Sequence, residues 1–170
     1  MDQKNSHFSF ILRSDADFEF LKGTWLEVFV WNEARNQRTK QGLPVFDDVK
    51  FNFEIPADAS GARKEIDVGL MVGGQMIHCS CKAGSKGIWS TDHLDELRAV
   101  SSLMGGRFCS RLFITSKKSP VQGDSDWKDY QFFQKQAADR LIVVITGDKL
   151  LQVGTCLTIE AGNRPTYPRI

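Results

Sequence analysis

Gly73-Gly74 stands between two β-rich runs, EIDVGLMV and QMIHCSCK, and no other pair of residues restricts this chain so tightly. Two glycines let both turn positions take φ > 0, the requirement of a two-residue hairpin. Such a turn sets the register. Val72 then pairs with Gln75, Leu70 with Ile77, Val68 with Cys79, Asp67 with Ser80 and Glu65 with Lys82. Side chains alternate along strands, so Ile66, Val68, Leu70, Val72, Ile77, Cys79 and Cys81 share an apolar face. The opposite face gathers Glu65, Asp67, Ser80 and Lys82 into one patch, because directly opposed residues lie about 5 Å apart. On the hairpin alone, a solvated ion pair contributing about 0–1 kcal/mol accounts for these charges as well as a functional site does.

The rest of the chain supplies the context. At 170 residues, 41% hydrophobic and 25% charged, it suits one domain with its own core, spanning residues 1–170. VKFNFEI, with Val49, Phe51, Phe53 and Ile55 alternating, predicts a strand before the hairpin, and HFSFIL a short strand at the start. Helices are expected from Asp17 to about Asn36, after Thr91 with Leu94, Leu97 and Val100 inward, and over SDWKDYQFFQKQAADR with Ser125 as cap. RFCSRLFITS and LIVVIT complete the strands. The order is α-β-β-β-α-β-α-β, an α/β arrangement. No apolar run reaches the about 18 residues of a membrane span and no signal peptide opens the chain, so a cytoplasmic location is expected. The four cysteines lack CxxC spacing and read as reduced core residues. Zinc on His78, Cys79 and Cys81 is disfavoured, because neighbouring strand positions point to opposite faces and a fourth ligand is missing. The net charge of +1 neither requires nor excludes a nucleic-acid partner.

A second anomaly lies in the first helix. In GTWLEVFVW, Glu27 is the only charged residue between Lys22 and Glu33. Its i±3 and i±4 neighbours are Gly23, Thr24, Val30 and Trp31, which leave it partly buried. A carboxylate there needs a cation, either a lysine or arginine of a buried pair or a metal ion.

An acid on a first helix, an acid on the second meander strand and a lysine on the third resemble the PD-(D/E)XK nucleases. FLKGTWLE at 20–27, EIDV at 65–68, CKAG at 81–84 and LDELRAVSSLMGG at 94–106 resemble, more narrowly, the nuclease domain of CRISPR-associated effectors activated by cyclic oligoadenylates. The likeness covers residues 18–155. It implies a restriction-endonuclease-like core, a mixed β-sheet flanked by helices. It also implies metal-dependent hydrolysis of phosphodiester bonds in DNA or RNA, in antiviral defence. In that family the domain usually follows a dimeric sensor of the CARF type. The resemblance therefore implies an excised domain or a standalone relative, acting as a homodimer or fused to a dimeric partner, away from membranes.

Carried over residue by residue, the resemblance makes Glu27, Asp67 and the backbone carbonyl of Cys81 ligands of Mg²⁺ or Mn²⁺, hard cations that favour oxygen donors. Lys82 orients the attacking water or stabilises developing charge, and Glu65 adds charge behind the ligands. Lys86 and Trp89 are candidates for contact with phosphate and base, against a solvated face for the lysine and core or lid packing for the tryptophan. Ser80 departs from the pattern, standing where the family has glutamate or aspartate. It leaves three expectations: an acid supplied from elsewhere, such as Glu65 or Glu54; weak activity; or a catalytically inactive module that binds nucleic acid or a protein.

Overall fold

The computed structural model describes residues 13–55, 63–84, 86–104 and 108–162. The strand expected in HFSFIL lies outside them. α1 (Asp15–Glu19) starts at Ser14, whose Oγ accepts from the Asp17 amide at 3.2 Å while the Asp17 carboxylate accepts from the Ser14 amide at 3.1 Å. This capping box satisfies two amides that a helix start leaves unpaired. The helix widens into a π-helical stretch, Phe20–Thr24, and continues as α2 (Trp25–Asn36). The extra residue of a π-turn rotates everything after it and is frequent at functional sites; here it falls immediately before Glu27.

There follow β1 (Asp48–Ile55), β2 (Lys64–Val72), β3 (Gln75–Lys82), α3 (Asp92–Met104), β4 (Ser110–Thr115), α4 (Trp127–Asp139), β5 (Ile142–Ile145) and α5 (Val153–Gly162). One sheet holds the strands in the order β1-β2-β3-β4-β5, antiparallel through β3 and parallel from β3 onward. Parallel neighbours need crossovers, which α3 and α4 provide. On one face, Leu26, Val30 and Ala34 of α2 and Val153, Leu157 and Ala161 of α5 pack on Val68, Leu70, Ile77 and Cys79. On the other, Leu94 and Leu97 of α3 and Phe133 and Ala137 of α4 pack around Phe113. Two helical layers about a mixed sheet are the architecture expected, with α5 added. Val153, Leu157 and Ala161 recur at i, i+4 and i+8, the helical period that locates α5 in the sequence. The α4 cap is Asp126, not Ser125, and its side chain makes no capping bond.

Gly73 and Gly74 have φ of 54° and 79°, and Val72↔Gln75, Leu70↔Ile77 and Val68↔Cys79 pair as the turn demands. The ladder then stops. Glu65 lies opposite Glu54 of β1 rather than Lys82, because β2 stays with β1 while β3 runs on beside β4 as far as Lys82↔Thr115. The β1 ladder also breaks here: Phe51↔Val68 and Phe53↔Ile66 pair, and between them Asn52 takes a left-handed φ of 46°. That residue upsets the expected alternation. The Phe51 ring lies 5.0 Å from Trp31 on the α2 side, whereas the Phe53 ring covers Gly69, where an added Cβ would sit 2.8 Å from it. Asp67 thus occupies the one place where β2 is released on both sides, at the fork between β2 and β3.

At the far end of the parallel strands, the Gly147 amide donates to Lys117 O at 2.8 Å, and a Cβ on Gly147 would meet Ser116 O at 2.1 Å and its carbonyl carbon at 2.8 Å. Both atoms belong to main chain that β4 holds in place. Gly147→Ala is expected to lower stability by about 2 kcal/mol, the scale of overpacking, read as a lower urea midpoint at unchanged slope.

Candidate active site

At the fork, the Asp67 carboxylate takes the place of the next rung of the hairpin. Its Oδ2 accepts the Cys81 amide at 2.6 Å and the Ser80 hydroxyl at 3.4 Å. Ser80 and Asp67 therefore face each other as the register requires, by side chain rather than by ladder. Burial pushes the Asp67 carboxyl above its ordinary 3.8, against the Cys81 amide, the Lys82 charge and the Ser80 hydroxyl, which favour the anion.

Glu27 approaches from α2, half-buried, one turn past the π-helical stretch. Its pKa is raised from 4.5 to about 7, first by burial, then by the charges of Asp67 and Glu65, with Lys82 opposing. Glu27, Cys81 and Lys82 line a cleft of about 340 Å³ together with Lys22, Lys86 and His93. Asp67, Ser80, Glu65 and Lys82 line a second cavity, of about 270 Å³, with His78 and Glu96. Lys82 is common to both and stands between the two acids. Among the described residues it forms no ion pair, so its charge is left to act on the carboxylates around it.

Two residues here, Glu96 and His93, escaped the sequence reading. Glu96 lies on α3 between the buried Leu94 and Leu97, and its charge helps to raise Asp67. That flank of an inward-facing helix is the signal that could have found it. His93 stacks on Phe113, centroids 6.0 Å apart, at the edge of the Glu27 cleft. His78 is buried, its Nδ1 2.9 Å from Ser101 Oγ, which donates in turn to Leu97 O at 2.6 Å. The Ser101 proton is committed to that carbonyl, which makes Nδ1 the donor to Ser101. Burial, Arg111 and Lys82 lower the His78 pKa to about 4, so the ring is neutral at pH 7. With His78 turned to Ser101 and Cys79 in the opposite core, the zinc arrangement disfavoured from sequence does not form.

Lys86 is exposed on the rim of the Glu27 cleft. Of the two roles open to Trp89 from sequence, base stacking and core or lid packing, its surroundings favour packing: it is 7% exposed, donates its indole N–H to Asp126 at 3.1 Å, and has Tyr130 and Phe133 rings 4.7 and 5.5 Å away. Those contacts, with the Lys117 ammonium 5.7 Å from the ring centroid, make it a packing residue beneath the loop. Glu54, one of the acids considered for the missing charge, is exposed and paired with Arg63 at 3.1 Å.

No group of three or more His, Cys, Asp or Glu side chains able to hold a metal forms among the described residues. Two carboxylates whose pKa values burial raises, beside a main-chain carbonyl, nonetheless suit a cation that keeps several waters, as Mg²⁺ does with one or two protein carboxylates. The donor set fits that ion and lacks the nitrogen and sulfur that would favour a softer one.

The raised Glu27 pKa has a stability consequence in metal-free protein. A carboxyl whose folded pKa of about 7 exceeds its unfolded 4.5 stabilises fully below pH 4.5, and the contribution is lost as pH rises toward 7. Glu27→Gln fixes the neutral form. After discounting for solvent exposure, it is expected to add about 1 kcal/mol at pH 8 and nothing at pH 4. Paired urea titrations at the two pH values check the sign; equal effects at both would remove burial as the cause.

The sequence profile of the Card1-like endonuclease domain matches residues 15–125. No curated protein matches the chain. Among solved structures, protein VC1899 from Vibrio cholerae superposes with a TM-score of 0.68 at 20% identity, covering 91% of this chain and 38% of that one. Can2 from Sulfobacillus thermosulfidooxidans, solved in complex with cyclic tetra-adenylate, gives 0.63 at 18% identity, covering 87% and 36%. The chain thus spans little more than a third of either protein. At these identities the likeness is one of fold.

Proposed function

The chain belongs to the Card1-like endonuclease domain family, and from that premise we propose that it is a Mg²⁺- or Mn²⁺-dependent nuclease hydrolysing phosphodiester bonds of DNA or RNA in CRISPR-linked defence. The observation that carries this reading is the fork at Asp67. There β2, β3 and α2 bring two carboxylates of raised pKa to either side of an ammonium group that forms no ion pair among the described residues.

Asp67 and Glu27 would hold the ion, with the Cys81 carbonyl beside them. The ion, when bound, lowers the pKa of water and offsets charge on the phosphorus. Lys82 holds a positive charge where the phosphate oxygens become more negative, which lowers the barrier because its position needs no rearrangement during reaction. The Cys81 amide and the Ser80 hydroxyl fix the Asp67 carboxylate in one orientation, so that it does not rotate away from the ion. Glu65 adds negative potential along the cavity wall.

Ser80 favours a second reading, a nucleic-acid-binding module without hydrolysis, because the hydroxyl contributes no charge where a carboxylate is expected. Cleavage of labelled single- and double-stranded DNA and RNA, with Mg²⁺ or Mn²⁺ and with EDTA, separates the two. Metal-dependent products support the nuclease, and strand binding without products in any metal supports the module. The active unit in this proposal is a homodimer or a fusion to a dimeric sensor. Of the aromatics in DYQFFQ, Phe132 is 57% exposed and available for such a contact, whereas Phe133 is wholly buried.

A further inference from the structure

α2 carries more than Glu27. On the same flank Trp31 stands one turn further and Arg35 two turns, about 12 Å along the axis from Glu27 at 1.5 Å per residue. These two residues and Arg38 form one wall of a cavity of about 580 Å³ whose other wall is Lys50 and Phe51 of β1. The volume lies within the range of clefts that hold small ligands, about 300–1,000 Å³. None of these residues takes part in the catalytic cluster.

The cleft has a built interior. The Arg35 guanidinium lies over the Trp31 ring, its central carbon 4.6 Å from the centroid. Trp31 is anchored by its indole N–H to Val49 O at 3.3 Å, and its ring lies 5.0 Å from that of Phe51. Arg38 Nη1 donates to Arg35 O at 2.6 Å and Gln37 O at 2.9 Å, which folds the guanidinium back against the helix end. Neither arginine forms an ion pair among the described residues. The two acids on the rim are engaged: Asp47 accepts from the Gly73 amide at 2.6 Å, and Asp48 accepts from the Val49 amide at 2.8 Å and pairs with Lys50 at 3.8 Å. The cleft therefore presents two guanidinium groups and aromatic surface, with Lys50 held by Asp48 on the opposite rim.

A guanidinium layered on an indole keeps its outer plane for another flat ring, and its N–H groups for phosphate oxygens. Phe51, 36% exposed, offers a second flat surface. A duplex would present phosphates alone, its bases closed against one another; unstacked bases use both features. We propose that this cleft binds nucleotides of a single-stranded substrate beyond the scissile phosphate, extending the substrate path from Glu27 along α2. The inference rests on the nuclease reading and adds to it a second contact region remote from the chemistry.

The test is strand binding in EDTA, followed by fluorescence anisotropy. On a labelled single strand of about ten nucleotides, the Arg35→Gln/Arg38→Gln double variant is expected to bind about tenfold more weakly. The slope of log K against log salt should shrink by about 1.4, two phosphates at about 0.7 each. Arg35→Lys keeps the charge and loses the planar stack, so it should weaken the single strand about threefold without moving the slope, and should leave binding of a blunt duplex of the same length unchanged, because its bases are closed to the stack. Equal losses on strand and duplex in Arg35→Lys, no loss on the single strand in the double variant, or a parent that does not bind the strand would overturn the proposal. Cleavage with Mg²⁺ distinguishes its failure from that of the nuclease reading. A parent that cleaves, with binding indifferent to both arginines, loses only this cleft; a parent that binds through them and cleaves nothing loses only the nuclease.

Discussion

Lys82→Ala and Asp67→Asn are each expected to lower metal-dependent cleavage by about 10²–10³-fold, the loss typical of removing one preorganised charge from a polar site, while the protein stays folded. Lys82 forms no ion pair among the described residues, so truncation breaks no native bond. It does remove the cation that opposes the raised Glu27 pKa, and the variant should therefore be somewhat less stable at pH 8 than the parent and unchanged at pH 4. Asparagine is the better probe at Asp67. Alanine would strip the 2.6 Å acceptor from the Cys81 amide and leave a buried donor unpaired, at a cost of about 1–3 kcal/mol. Asparagine keeps an oxygen there and loses only the charge. A second readout separates the two residues: Asp67→Asn should weaken calorimetric metal binding, whereas Lys82→Ala should leave it equal or tighter, a positive neighbour having gone. Undiminished cleavage in both variants would remove these residues from the mechanism.

The Asp67 site was legible in part because two local signals are strong. Gly-Gly between strand-like runs permits one turn geometry, and that geometry carries the pairing as far as Val68↔Cys79. Glu27 was legible because a lone acid among tryptophan, leucine, valine and phenylalanine cannot be solvated all round. What lay beyond reach is non-local. Whether β3 stays with β2 after Cys79 depends on β4, which arrives more than thirty residues later in sequence and holds β3 in parallel register to Lys82. The release of β2 on its other side depends on Asn52, whose left-handed backbone no period-2 pattern reveals, and which turns Phe53 over Gly69.

Trp89 shows the same limit from another direction. As GIWS in a loop after the site it is a reasonable base-stacking residue, and only the fold brings Asp126, Tyr130 and Phe133 against it from α4 and its cap. Arg35 and Arg38 show the converse. In sequence they are two charges at the end of an amphipathic helix, and their grouping with Lys50 and Phe51 exists because α2 crosses the sheet from β3 to β1. The π-helical stretch belongs with these cases. Nothing in FLKGT demands it, yet it ends one turn before Glu27.

Ser80→Glu is expected to tighten Mg²⁺ or Mn²⁺ binding by about a hundredfold and, if the remaining machinery is complete, to raise cleavage with it. Ser80 is 8% exposed, its hydroxyl 3.4 Å from Asp67 Oδ2, so a glutamate there sets a second carboxylate against the first. The adjoining cavity of about 270 Å³ gives the longer side chain room. Without metal the two anions repel in a desolvated place where burial already raises the Asp67 pKa, so the variant should be less stable by about 2 kcal/mol and should take up a proton shared between the pair. With metal the sign reverses. One more charge about 4 Å from a divalent ion gains about 8 kcal/mol at an effective dielectric of about 20, and stripping water from ion and carboxylate together with release of the shared proton offsets most of it, leaving about a hundredfold. Calorimetric titration and unfolding with and without metal read both halves. Tighter binding without cleavage would mean that this member of the family has lost more than one part of its machinery. Unchanged affinity would mean that Asp67 holds no ion, and the whole charge pattern at the fork would have to be explained as structure alone.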